Sequence, residues 1–273
     1  MRDVTRLDDW LRPTPPLQTE PPLDRAQRRA LWVEVTIVLL VTFGLSGLSG
    51  ILSLIETALQ PGQLSDQSVA LNASRSTFGW IDLGRQLLGI VRLCAWAALG
   101  LYLLWRSGLG PDRIGLGRHP RWRRDLLPGV GLAALIGLPG LALYLAATAV
   151  GANLTVVPST VDDHWWRLPA LVLWALANSA AEEILVVAYL ISRLRRLGWS
   201  ENASLAASAL LRGSYHLYQG LGGGLGNVVM GIVFGRYWQR TGKLWPLVVA
   251  HWLIDAVAFV GYTLLRGHVS WLP

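Results

Sequence analysis

Apolar runs long enough to cross a lipid bilayer recur along this 273-residue chain, and they limit the fold before any single residue is considered. A helix needs roughly 20 apolar residues to span the hydrocarbon core. Candidate segments cover 31–59, 83–105, 126–150, 168–191, 203–218, 227–238 and 244–265, about seven in all. The fifth and sixth are short and are expected to tilt or to be joined by re-entrant backbone. The chain is 52% hydrophobic and only 15% charged, with a mean hydropathy of +0.40, whereas soluble domains are about 25% charged. The expected fold class is all-α, a polytopic transmembrane helical bundle. Residues 1–29 read as a flexible, proline-rich cytoplasmic tail and 30–273 as the transmembrane domain. The first apolar run begins too late and is too long for a cleavable signal peptide, so it is expected to serve as an uncleaved anchor.

A formal net charge of +7 would suit nucleic acid, but its distribution is topological. Arg25, Arg28 and Arg29 precede the first run, and six arginines from Arg106 to Arg124 fill the loop after the second. Arg193, Arg195 and Arg196 follow the fourth run, and Arg236, Arg240 and Lys243 precede the last. The alternate loops are poor in basic residues. This is the positive-inside pattern with a cytoplasmic N-terminus, and it excludes nucleic acid as the expected partner. Tryptophans follow the same map: Trp32, Trp105, Trp122, Trp199, Trp238 and Trp245 flank the inner ends, and Trp80, Trp165, Trp166 and Trp271 the outer ends. Cys94, the single cysteine, excludes an internal disulfide or a cysteine zinc cage. Three Asn-x-Ser sequons or Asn-x-Thr sequons, at Asn72, Asn153 and Asn202, carry little weight.

Within the fourth run stand two adjacent carboxylates, Glu182 and Glu183, each costing about 2.5–3.5 kcal/mol near mid-membrane on insertion scales. At helical spacing Asn178, Glu182 and Tyr189 share one face, and Ser179 and Glu183 the adjacent one. Carboxylates side by side in a low dielectric resist ionising together, and a carboxyl poised near neutrality suits a general base. The bland alternative is an ion pair with an intramembrane Arg92 or Arg212. His216 ends the fifth run, one turn after Arg212, and His251 and Asp255 share a face of the last. The latter pair suits metal ligation, oxyanion stabilisation or proton relay. The glycine run 220–226 reads either as a flexible outer hairpin or as a functional re-entrant turn. No HExxH, GxSxG, Walker or GxGxxG motif is present, so no nucleotide or organic cofactor is expected.

Together these residues resemble the CPBP family, the CAAX prenyl protease and bacteriocin-processing intramembrane peptidases also called Abi proteins. The family pattern is EExxxR, then FxxxH, then Hxxx(N/D), in separate membrane helices. Here it reads Glu182-Glu183 with Val187 at the Arg position, Arg212 at the Phe position with His216, and His251 with Asp255. The resemblance covers about 168–265. It implies an endopeptidase in which Glu182 activates water with Glu183 beside it, His216 assists or binds metal, and His251 and Asp255 polarise the scissile carbonyl or complete a metal site. A zinc ion, if present, would take Glu182, His216 and His251 and leave one position open. Arg212, with Asn178 as a further support, is expected to supply the guanidinium missing at Val187.

The expected activity is hydrolysis of a membrane-associated protein or peptide, with the site facing the cytoplasm of a bacterial plasma membrane. The partners are membrane lipid and a peptide substrate; oligomeric state is left open. The rival readings are an inactive immunity or scaffold protein, favoured by Val187, and a proton-coupled transporter.

Overall fold

The computed structural model describes residues 22–265 and residue 268; most of the expected tail, 1–21, and Trp271 lie outside the described residues. The chain is an all-α bundle with one small outer sheet. Helix α1 (Arg25–Val41) starts at Asp24, whose side chain caps the Gln27 amide while the Gln27 side chain answers the Asp24 amide, a reciprocal capping box. At Thr42 the chain turns by 52° into α2 (Phe43–Leu59), and the Thr42 hydroxyl donates to the Val38 carbonyl at 2.6 Å.

Helix α3 (Gly79–Arg106) follows, and a π turn at Trp122–Leu126 leads into α4 (Leu127–Ala149). Helix α5 (Arg167–Glu182) continues through a π segment, Glu183–Tyr189, into α6 (Leu190–Arg196). Helices α7 (Glu201–Ser214) and α8 (Leu221–Thr241) form a hairpin, and α9 (Trp245–Leu265) runs outward again.

About seven spans were expected. Among the described residues four helical stretches are long and apolar enough to cross a membrane: Gly79–Arg106, Trp122–Ala149, Arg167–Arg196 and Trp245–Leu265. The bent pair α1–α2 makes up to five. The difference lies mainly in α7 and α8. Helix α7 has only 14 residues, rich in Ser and Ala, and α8 is rich in glycine with arginines near its end. They pack on each other along one face, and α8 leaves Leu221, Leu225, Val229 and Ile232 exposed along another. Gly231 carries this contact, since a Cβ there would lie 2.8 Å from the Ala209 Cα.

Hydrogen bonds sort the loops into two layers. On one side Trp245 donates to Gly117, Trp238 to Ile114, and Arg28 to Leu197, which ties the basic loops together. On the other, β1 (Ser68–Asn72) pairs in parallel with β2 (Thr155–Ser159), and Asn153 bridges to Gly220. These strands were not anticipated. Gly220 has φ +110°, and a Cβ there would meet the Asn153 Cα at 2.8 Å, so only glycine suits it on both counts. The glycine run is no flexible hairpin: from Leu221 it is the first turn and more of α8. Asn153 of the second sequon is fully buried, with its amide nitrogen bonded to the Leu154 carbonyl.

Adding one methyl at the hairpin contact tests this packing. Gly231→Ala is expected to cost about 1–3 kcal/mol by overpacking, seen as a lowered thermal midpoint in detergent. Gly140→Ala, where a Cβ meets nothing within 4 Å, is the matched control and should not lower it.

Candidate functional site

Four helical segments converge on the glutamate pair. Asn178 and Glu182 come from α5, Glu183 from the π segment, Arg212 from α7 with Tyr215 and His216 just beyond it, and His251 and Asp255 from α9. Glu182 and Glu183 are both buried, and they divide their partners cleanly. Glu183 Oε1 accepts from Arg212 Nη2 at 2.6 Å and from His251 Nδ1 at 2.9 Å. Glu182 Oε1 accepts from Asn178 at 3.1 Å, and Oε2 accepts from the Tyr215 hydroxyl at 2.6 Å. Asn178 also donates to Asp255 Oδ2 at 3.1 Å, so one amide joins two carboxylates. Arg212 Nη1 stands 3.8 Å from Glu182 Oε2, close enough for attraction without a hydrogen bond.

The sequence-predicted residues are therefore brought together in two hydrogen-bonded sets, Asn178 with Glu182 and Asp255, and Glu183 with Arg212 and His251, held against each other by the longer Arg212–Glu182 and His251–Asp255 contacts. His216 is adjacent. Its Nδ1 lies 3.0 Å from the Arg212 carbonyl, and a carbonyl only accepts, so Nδ1 carries a proton and donates it there. His251 Nε2 is 3.6 Å from Asp255 Oδ2, beyond hydrogen-bond range.

The ion pair first weighed as the bland alternative is present, made by Arg212 and not by Arg92, whose guanidinium lies over the Trp96 ring. It does not exhaust the site. Glu182, His216 and Asp255 remain outside it, and Glu183 Oε2, Arg212 Nε and Arg212 Nη1 make no hydrogen bond.

Two expected face-mates leave the site. Tyr189 donates to Glu34 of α1 at 3.0 Å, and Ser179 donates back to Leu176. The reason for the first is the π segment, whose wider turn changes the phase of every side chain after Glu183. Ser208 of α7 bonds the Val186 carbonyl within this segment at 2.6 Å. Tyr215 was missed altogether. Its only sequence signal is position, three residues past Arg212 and next to His216.

The donor set can be tested against zinc. Among the described residues no group of three or more His, Cys, Asp or Glu side chains is placed to hold a metal ion. Of the three candidate ligands, Glu182 is held by Tyr215 and Asn178, and His251 by Glu183. Beside Glu183 the positive charge is supplied by the Arg212 guanidinium. As arranged, the residues do not fit a zinc ion.

A family model described as Rce1-like, type II CAAX prenyl endopeptidase Rce1-like, matches residues 164–257. The match supports the resemblance read from the motifs, and its span holds every residue of the cluster. It suggests an intramembrane CAAX-protease-like peptidase. No curated protein and no solved structure matches the chain.

The buried pair gives a stability test. Arg212→Ala is expected to cost about 3–5 kcal/mol, because it strands the Glu183 carboxylate. Glu183→Gln combined with Arg212→Met removes the stranded charge and should be less destabilised than Arg212→Ala alone. A double variant that melts lower than the single one would contradict the pairing.

Proposed function

We propose that the chain is an intramembrane endopeptidase of a bacterial plasma membrane that hydrolyses a peptide bond of a membrane-associated protein or peptide, with water activated by Glu182. The observation that carries this reading is the placement of the Glu182 carboxylate. It is buried and fixed at both oxygens by Asn178 and Tyr215, and a second carboxylate beside it is already neutralised by a guanidinium. Such an arrangement leaves one carboxylate free to exchange a proton while the other holds the helices.

In this mechanism Glu182 takes a proton from water as the water oxygen attacks the scissile carbonyl carbon. The C–O bond forms, the carbonyl π electrons move to oxygen, and the oxyanion is stabilised by an N–H of His251, which Asp255 orients from one turn away. Collapse of the tetrahedral adduct breaks the C–N bond, and the proton held by Glu182 passes to the leaving nitrogen. His216, beside Arg212, steadies the water before attack, and the proton itself passes to Glu182. Glu183 and Arg212 are positioning residues that act through His251 and through the packing of α7 against the π segment.

Val187 had favoured a non-catalytic scaffold, since the family pattern places an Arg there. The guanidinium of Arg212 at Glu183 removes that ground, because the charge reaches the pair from α7 instead. The charge pattern of the loops supports a cytoplasmic N-terminus, with membrane lipid around the bundle.

Glu182→Gln keeps the size of the side chain and its capacity to bond Asn178. It is expected to lower turnover of a fluorogenic peptide in proteoliposomes by about 10²–10⁴-fold, with an unchanged thermal midpoint. Retained turnover in this variant would sink the reading.

A further inference from the structure

Arg212 carries its charge into the membrane with a carboxylate to meet it; Arg92 does not. Arg92 stands at the middle of the 28-residue α3, about 20 Å from either end at 1.5 Å per residue. A helix of that length exceeds the roughly 30 Å hydrocarbon core, which places Arg92 near the midplane. The stripe that α3 turns to the bundle holds the buried Asp82, Gln86, Gly89, Leu93, Ala97 and Gly100. Arg92 lies outside this stripe and is exposed, with Leu88 and Val91 exposed beside it. On this flank Phe43, at the start of α2, packs on Trp96 with ring centres 5.3 Å apart. Past that contact α2 packs on α7 and on the turn at Leu217–Gln219, and α3 is left without it.

Among the described residues Arg92 has no carboxylate partner; its one side-chain contact is the Trp96 ring, 5.5 Å from the guanidinium carbon to the ring centre. A cation over a ring recovers only part of what a guanidinium loses in hydrocarbon. The ring also lies one turn towards Arg106, so the guanidinium is not stretched towards the phosphates beyond Gly79. The charge beside it has the same sign. Arg75 reaches down to the level of Gly89, where a Cβ would lie 3.0 Å from its Nη1. Burial and the like charge of Arg92 lower the Arg75 pKa below the usual arginine value, and Asp82 offsets part of this. Asp82 itself is buried and taken up by Ser74, the Arg75 amide and Gln86. Arg85, nearer the Gly79 end, donates to the Arg75 carbonyl.

We propose that the Arg92 flank of α3 is a docking face for a membrane helix of another protein that carries an Asp or Glu at mid-bilayer depth. Charge complementarity decides the occupant. A guanidinium offers a carboxylate two parallel N–H groups, and away from water that pairing is far stronger than one with an amide. A second copy of this chain does not supply the carboxylate. Its exposed acid in a membrane helix, Glu56, lies in the last turn of α2 and so near the membrane surface, while Glu34 is bonded to Tyr189 and Arg193. The partner's helix would lie against Leu88 and Trp96 with its acid on Arg92. This docking does not depend on the peptidase reading.

Designed membrane peptides test it. The single cysteine, Cys94, is exposed and turned about 200° from Arg92 around α3, so it takes a donor dye outside the docking face. The labelled full chain is placed in phosphatidylcholine vesicles at mildly alkaline pH with an acceptor-labelled leucine-rich helix bearing one central Glu, or Gln at the same place. The Glu peptide should reach half-maximal energy transfer at a peptide-to-lipid ratio about 5–30-fold lower than the Gln peptide. Arg92→Leu should abolish this difference without lowering the thermal midpoint, and Arg85→Leu should keep it. Equal transfer from the two peptides to the unaltered chain would overturn the proposal, as would a Glu preference that survives Arg92→Leu. Transfer between donor-labelled and acceptor-labelled copies that needs Arg92 and no peptide would overturn it in favour of a homodimer.

Discussion

One carboxylate oxygen holds the site together. Glu183 Oε1 receives the Arg212 guanidinium from α7 and the His251 ring from α9, while its own backbone belongs to the segment that continues α5. Between helices in lipid, apolar packing gives little net drive to associate, because lipid tails are as apolar as the side chains they replace. Specific polar contacts therefore carry more of the burden of choosing which faces meet. Here a single ion pair with one added imidazole joins three helices at one depth. The Ser208 hydroxyl, bonded to the Val186 carbonyl, pins α7 to the π segment one turn below.

The same interaction accounts for the two departures from the family pattern. Val187 is buried in the apolar core, where a guanidinium would need its own counter-ion and donors' partners. Arg212 stands on the helix facing the pair and reaches Glu183 directly, with its guanidinium 5.8 Å from the Phe234 ring centre. An aromatic neighbour and a carboxylate together make that position tolerable for a fully buried cation. The two substitutions are thus read most simply as one exchange, in which the charge moves between helices and keeps its target.

Much of the site was legible because ionisable residues in apolar helices are costly wherever they stand. Glu182, Glu183, His216, His251 and Asp255 announced themselves in this way, and i, i+4 spacing joined Asn178 to Glu182, whose side chains are hydrogen-bonded. Spacing failed where the helix stopped being α. Tyr189 was placed with Glu182, and the π segment carried it to Glu34 instead. Tyr215 gave no energetic signal, since a tyrosine is ordinary in a membrane helix until its hydroxyl is seen on a carboxylate. Hydropathy located the long spans, while α7 and α8 are too short or too polar to pass as spans by length and composition. The outer strands are five residues each and too short to register against helical runs.

The pairing of β1 with β2 also sets an order of events. The strands are parallel, so they cannot close as a hairpin, and everything between them, including α3 and α4, must be in place before Ser68 meets Thr155. Two membrane crossings therefore precede the first hydrogen bond of the cap. Because Asn153, just ahead of β2, must then find Gly220 beyond α7, the cap cannot finish until the segment bearing Arg212 and His216 has emerged. Assembly of the outer loops is by this route a late, long-range step, completed only by chains whose polar helices are already seated.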